Sequence, residues 1–295
     1  MLKKLSGSIL ALIGLTVIFA SCKKEYESIQ NIDSKKISDY IAKNNLTAMV
    51  EDPAKTGYYY QIVTPGTGAL LKNTDSILYN GSVKSMENGT VYLSTPTYAN
   101  LGTFVGYTNV LNSISIPAIR EVLLKMSRGG TARILLPSYL AYGRNGLNDI
   151  PSNENIDLTI STYPEANQAL LDERLIKEFI ASKGLTGMIR DPSGVYYTVT
   201  APGSGTYPIT ETATVTASYT GRLTDGTVFD SNTSYSSVLN QNIQGWYKSL
   251  PGKVREGGKI RILIPSGLGY GTTGSGTISP NAILDFDIEI TTVTQ

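Results

Sequence analysis

Apolar and polar residues alternate with a period of two along three stretches in the C-terminal part of this chain. Val215, Ala217, Tyr219, Gly221 and Leu223 share one side, with Thr214, Thr216, Ser218, Thr220 and Arg222 on the other. Ile260, Ile262 and Ile264 alternate against Lys259 and Arg261, and Leu284, Phe286, Ile288 and Ile290 against Asp285, Asp287 and Glu289. Successive side chains of a strand point to opposite faces, so this spacing predicts half-buried antiparallel strands with Tyr219 and Phe286 on one concave face. Between the strands, Ile243 to Leu250 reads as a short helix carrying Trp246, the only tryptophan in the chain.

Upstream the period becomes helical. Leu171, Leu175, Ile176, Phe179 and Ile180 form a stripe, with Asp172, Glu173, Lys177 and Glu178 outside it, and the pattern runs on to Asp191-Pro192. A similar run, Ile37 to Asp52-Pro53, lies 139 residues earlier. After each comes an aromatic strand and a Pro-Gly turn, Tyr58-Tyr59-Tyr60 to Pro65-Gly66 and Val195-Tyr196-Tyr197 to Pro202-Gly203. Proline fixes φ and glycine accepts positive φ, so Pro-Gly marks a tight turn. The chain is therefore read as a tandem duplication with a joint near Tyr163-Pro164-Glu165, each helix packing on its own sheet.

The first copy retains the strand pattern in Ile77, Tyr79, Gly81 and Val83, in Ala132, Ile134 and Leu136, and in Ile156, Leu158 and Ile160. Tyr142 matches Tyr270. Where the second copy has Phe229-Asp230 the first has Tyr92-Leu93; Ile119 falls at the Trp246 position and Leu158 at that of Phe286.

Composition narrows the chemistry. The chain has no histidine, which removes imidazole-based metal sites, Ser/His/Asp triads and Cys/His dyads, and its single cysteine permits no internal disulfide. No cofactor or metal site is expected. Net charge is +1, and without Lys3 and Lys4 the count is 23 basic against 24 acidic residues, so nothing calls for a nucleic-acid partner. The N-terminus is basic through Lys3 and Lys4, apolar from Ile9 to Ala20, and ends in Phe19-Ala20-Ser21-Cys22. That arrangement resembles a bacterial lipoprotein signal. It implies cleavage before Cys22, acylation of that residue, and a protein held on a membrane of the cell envelope by its acyl chains.

The order of motifs in the second copy is similar to that of FKBP-type peptidyl-prolyl cis/trans isomerases. It carries Tyr219-Thr-Gly221, Phe229-Asp230-Ser231, Ile243-x-Gly245-Trp246, Pro265-x-x-Leu268-x-Tyr270-Gly271 and Ile278-x-Pro280-x-Ala282, and ends on Phe286-x-Ile288-Glu289. The resemblance implies an α+β fold of two tandem domains. Each would be a curved antiparallel sheet wrapped on a short helix and preceded by an additional helix. The expected layout is a signal at 1–21, a polar tether at 22–34, a degenerate domain at 35–164 and an isomerase domain at 165–295. It also implies proline-containing polypeptides as partners. Trp246 would form the floor under the proline ring, with Ile243, Phe229 and Phe286 as walls. Tyr270 would donate to a substrate carbonyl, Tyr219 and Asp230 would shape the rim, and Ile278 would line the loop above.

The second copy departs from the family at Ser237, where an aromatic is usual, and at Asn242, where valine is usual. Both changes are expected to wet the pocket and to leave activity low or substrate-restricted, with Tyr235 as a candidate to replace the missing ring. The alternatives are a non-catalytic peptide-binding chaperone or envelope assembly module, and a surface lipoprotein that uses the fold as a scaffold.

Overall fold

A computed structural model describes residues 27–111 and 113–295. The expected signal at 1–21, Cys22 and the start of the tether lie outside the described residues. The first half runs α1 (Ile29–Lys43), β1 (Val50–Glu51), β2 (Tyr59–Thr64), β3 (Ser76–Ser85), β4 (Val91–Ser94), β5 (Leu101–Phe104), β6 (Val110–Leu111), β7 (Ile114–Ser115), α2 (Pro117–Leu123), β8 (Thr131–Leu136) and β9 (Ile156–Thr162). The second runs α3 (Gln168–Ser182), β10 (Ile189–Arg190), β11 (Tyr196–Ala201), β12 (Thr214–Leu223), β13 (Val228–Val238), α4 (Gln244–Ser249), β14 (Lys259–Ile264) and β15 (Leu284–Thr294).

The duplication is visible in the topology. The first sheet has the order β1-β2-β8-β9-β3-β4, with β5 also on β3, and the second has β10-β11-β14-β15-β12-β13. Its strands are antiparallel throughout. The single long edge strand β13 corresponds in the first copy to β4 and β5, which lie one after the other on β3 and are separated by residues 95–100. Pro96 sits in that gap, where a residue without an N–H cannot continue a ladder.

Strand alternation sorts the side chains into two cores. On the concave face Ile260, Ile262, Ile264, Phe286 and Ile288 pack against Trp246 and Leu250 of α4. Ile134, Leu136 and Leu158 pack likewise against Ile119 and Leu123 of α2. On the outer face Leu263 meets Ile176 and Phe179 of α3, and Leu135 meets Ile37 and Ile41 of α1. Each preceding helix thus covers the back of its own sheet.

Two expectations about these helices are corrected. The tether expected to reach residue 34 ends earlier, because α1 begins at Ile29, with Ser28 accepting a bond from the Asn31 amide as its N-cap. The reason is Asp33, whose Oδ2 accepts from both the backbone amide (2.9 Å) and the hydroxyl (2.7 Å) of Ser138 and so ties the first turns of the helix to the fold. Asp172, outside the apolar stripe of α3, is nevertheless 1% exposed, and its Oδ2 accepts from Ser266 N and Oγ at 2.8 Å. Each copy therefore uses a buried carboxylate on its outer helix to hold the loop after β8 or β14. Among the described residues no helix is long and apolar enough to cross a membrane.

Glu173 behaves differently from its neighbour. Its carboxylate accepts from Tyr196 Oη (2.7 Å) and Arg190 Nε (2.8 Å) and pairs with Lys177 Nζ (2.9 Å). Burial pushes its pKa up, but those three donors outweigh burial and hold it down at about 2, from an ordinary 4.5. A depressed carboxylate pKa means stability that is present above the ordinary value and lost as pH falls towards 2. Acid titration of folding stability should therefore lose on the order of 2 kcal/mol from this group between pH 5 and pH 2. Glu173→Gln should remove that part of the slope; an unchanged slope would show that the clamp does not operate.

Candidate functional site

The concave face of the second sheet holds a cavity of about 350 Å³ lined by Tyr219, Phe229, Asp230, Tyr235, Gln241, Asn242, Ile243, Trp246, Tyr270 and Phe286. Tyr219 and Phe286 arrive from adjacent central strands. Phe229 and Asp230 come from the start of β13, Ile243 and Trp246 from the first turn of α4, and Tyr270 from the loop after Ser266–Leu268. Gly221 lets the walls meet. It lies opposite Phe286 on one side and Asp230 on the other, and a Cβ there would stand 2.6 Å from Phe286 and 2.7 Å from Phe229. Gly245 does the same for the floor, because a Cβ would lie 2.5 Å from the Ile264 side chain and push α4 off β14.

Trp246 is the centre of the aromatic cluster. Its ring meets those of Tyr219 (5.2 Å), Phe286 (5.5 Å) and Tyr235 (6.5 Å) almost perpendicularly, and Phe229 meets Phe286 edge-on at 5.5 Å. Edge-to-face contact is the favoured arrangement of aromatic quadrupoles, so the rings hold one another's orientation. Trp246 is only 3% exposed. It is a buried floor in contact with the cavity, not a half-exposed platform.

The rim is polar. Tyr219 Oη donates to Asp230 Oδ2 at 2.6 Å. Burial, then this hydrogen bond and the negative charge of Asp230, push the Tyr219 phenol well above its usual range. The Tyr270 phenol is raised mainly by burial and secondarily by the Asp230 charge. Both hydroxyls therefore remain protonated donors at neutral pH.

Seven of the eight residues expected at the site line this cavity. Ile278 does not: it is buried in the second core and forms an isolated bridge with Ser275. Ser237 and Asn242, expected to wet the pocket, pair with each other, and Asn242 stays in the cavity wall beside Gln241. Asn242 Nδ2 donates to Ser237 Oγ (2.8 Å) and Leu239 O (3.0 Å), and its Oδ1 accepts from Tyr235 Oη (3.0 Å). The two unusual polar residues satisfy each other and position Tyr235, which does supply a ring beside Trp246.

The equivalent cavity of the first copy, about 220 Å³, is lined by Gly81, Leu93, Ile119 and Leu158 among others. The ladders fix the correspondence. Val83 opposes Leu158 and Leu93, as Gly221 opposes Phe286 and Asp230. Both strands carry a Tyr-x-Gly step, but these steps do not coincide. Gly81 opposes Ile160 as Tyr219 opposes Ile288, so the first copy has a glycine where the rim tyrosine stands. A shift of two keeps the alternation intact, which is why the hydrophobic pattern could not reveal it.

Comparison with known proteins bears on the same two segments. The family described as FKBP-type peptidyl-prolyl cis-trans isomerase matches residues 72–162 and 205–291. This chain belongs to the FKBP-type peptidyl-prolyl cis-trans isomerase family. Its two halves are tandem FKBP-like domains of mixed helix and antiparallel sheet. A probable FKBP-type peptidyl-prolyl cis-trans isomerase FkpA of Neisseria meningitidis is 37% identical over 131 residues, 43% of this chain and 44% of that protein. A probable FKBP-type isomerase of Haemophilus influenzae is 42% identical over 103 residues, 33% of this chain and 42% of that one. The chain spans roughly half, or less, of the length of these curated relatives. The crystal structure of a peptidyl-prolyl cis-trans isomerase from Pseudomonas syringae is 32% identical, covering 44% of this chain and 99% of that one, with a TM-score of 0.38.

Proposed function

We propose that the second FKBP-like domain is a working peptidyl-prolyl cis/trans isomerase and that the first has lost catalysis. The observation that carries this reading is the Trp246 ring cluster with its Tyr219–Asp230 rim; the first domain has Ile119 at the Trp246 position and Gly81 at the Tyr219 position.

Isomerisation suits such a site. The barrier to rotation about an X-Pro bond, about 18 to 20 kcal/mol, comes from amide resonance, and crossing it breaks no covalent bond. No nucleophile is demanded, in keeping with a chain that has no histidine. In the twisted amide the carbonyl is less charge-separated than in the planar one. Removing water from it therefore disfavours the ground state more than the transition state. Trp246, Phe229, Ile243 and Phe286 would seat the proline ring and exclude water, Tyr270 would donate to a carbonyl of the bound peptide, and Asp230 would keep the Tyr219 hydroxyl oriented at the rim.

The test is isomerisation of a proline peptide by the full chain carrying Trp246→Leu or, separately, Ile119→Val. The first should lose most of the activity and the second almost none. Equal losses would mean that both pockets contribute.

The clients in this reading are exported chains with exposed X-Pro bonds, met by a protein anchored to an envelope membrane through acylated Cys22. Several acyl chains, at about 0.8 kcal/mol per buried methylene, would hold it there. Cys22→Ala should release the protein into the soluble fraction without changing its melting temperature. Undiminished membrane retention of a processed Cys22→Ala protein would remove the anchor from the account.

A further inference from the structure

The first domain carries an insertion that the second lacks. Leu93 and Ile119 are 26 positions apart, whereas their counterparts Asp230 and Trp246 are 16 apart. The additional residues lie in the break between β4 and β5 and in the segment with the β6–β7 hairpin that follows β5. They do not merely loop into solvent. Tyr98 packs against the core of the second domain, and the Asn100 backbone oxygen accepts from Asn281 Nδ2 at 3.0 Å. Both asparagines are almost fully buried, at 1% and 4% exposure. The Asn100 side chain is in turn held at both ends by Gln168, at 2.9 Å each way, and Gln168 donates to the buried Asp172 at 2.7 Å.

The loop that meets this insertion places its proline differently in the two copies. Residues 146–153 and 274–281 fold alike. Each has an Ile bridged to the residue three before it, and an asparagine at positive φ whose amide donates across the loop, Asn153 to Gly143 O (2.9 Å) and Asn281 to Gly271 O (2.8 Å). In the first copy the proline directly follows the isoleucine, as Ile150-Pro151. In the second it comes one residue later, as Ile278-Ser279-Pro280. Ser279 and Pro280 form part of the wall of the first domain's cavity, beside Leu93, Leu111 and Ile119.

We propose that the eroded pocket of the first domain is retained as a docking site for a proline of this same chain. The Ser279-Pro280 step of the second domain closes its mouth, and the contact holds the loop at residues 275–282 in place. The chemistry fits. An aliphatic wall of Leu93, Ile119 and Leu158 can cover a proline ring by apolar burial alone, and the missing Trp and rim Tyr are not needed to hold a ring without turning its amide over. The Asn281–Asn100 bond fixes the register of the contact. Because that loop continues from Gly271, beside Tyr270, the first domain steadies one edge of the second domain's cavity.

The inference does not depend on which domain is catalytic, and its test needs no turnover. Hydrogen exchange would be followed on the full chain with Leu93→Ala or Leu111→Ala on the pocket side, Pro280→Ala on the loop side, and each pocket variant combined with Pro280→Ala. Amides at Ile278, Asn281 and Ala282 donate backbone bonds within this loop. If the contact holds them, each single substitution should speed their exchange by about tenfold, and the doubles should add nothing further. Exchange in Lys259–Ile264 and in Thr131–Leu136 should stay at parental rates, which shows that both domains remain folded. Unchanged exchange at residues 278–282 with both pocket variants, or effects that multiply in the doubles, would overturn the proposal.

Discussion

Trp246→Leu in the full chain should leave a folded protein whose affinity for a proline peptide falls about tenfold or more and whose isomerase activity falls further still. Leucine keeps apolar bulk at a position that is 3% exposed, so the core loses contacts but gains no buried polar group. Trp246→Ala, by contrast, should cost about 3 to 5 kcal/mol of stability, the range for large-to-small truncation of a buried aromatic. The functional loss with leucine follows from geometry. The indole fixes Tyr219, Tyr235 and Phe286 edge-on around it, and a branched aliphatic cannot supply the flat face on which those rings are set. Melting temperature, peptide affinity and isomerisation rate measured on one sample separate the cases. A small change in melting temperature with lost turnover supports the enzyme. Lost affinity in a protein whose parent shows no turnover supports a peptide-binding module, and unaltered affinity and turnover would remove Trp246 from the site.

A loss of stability as large as that of Trp246→Ala is expected at Asp172. Its carboxylate is buried, burial raises its pKa, and the bonds from Gln168 and Ser266 oppose that rise. Asp172→Ala would leave the Ser266 amide and hydroxyl and the Gln168 amide without their acceptor, which should destabilise the second domain by about 3 to 5 kcal/mol. Asp172→Asn keeps an acceptor oxygen and should cost appreciably less. Denaturant unfolding of the two variants decides between them; equal losses would mean that the negative charge, not hydrogen-bond acceptance, holds the loop before Tyr270.

Residues whose chemistry is displayed by spacing were the legible ones. Tyr219, Phe229, Asp230, Ile243, Trp246, Tyr270 and Phe286 come together because period-two strands and a one-turn helix leave little freedom in which way they point. The duplication was equally plain, since Pro53 and Pro192 close the same helix-and-turn pattern. What stayed hidden depends on partners distant in sequence. Asp33 and Asp172 look like surface residues until Ser138 and Ser266 are known to lie against them. The two-residue displacement between the Tyr-x-Gly steps conserves every apolar position, so only the ladders expose Gly81 as the counterpart of Tyr219. Asn242 and Ser237 each suggest a wetter pocket when taken alone, and their mutual hydrogen bond becomes apparent only in three dimensions. Residues 95–111 carry no strong period, and their contact with the second domain could not be anticipated from hydrophobic pattern.

The division of labour between the domains is tested most directly by comparing two fragments in one assay, cis/trans isomerisation of a proline peptide. Residues 165–295 should catalyse at a rate of the same order as the whole chain, and a chain ending at Tyr163 should not exceed the uncatalysed rate. Comparable activity in the fragment ending at Tyr163 would show that Gly81, Leu93, Ile119 and Leu158 still make a working site, and would contradict the account.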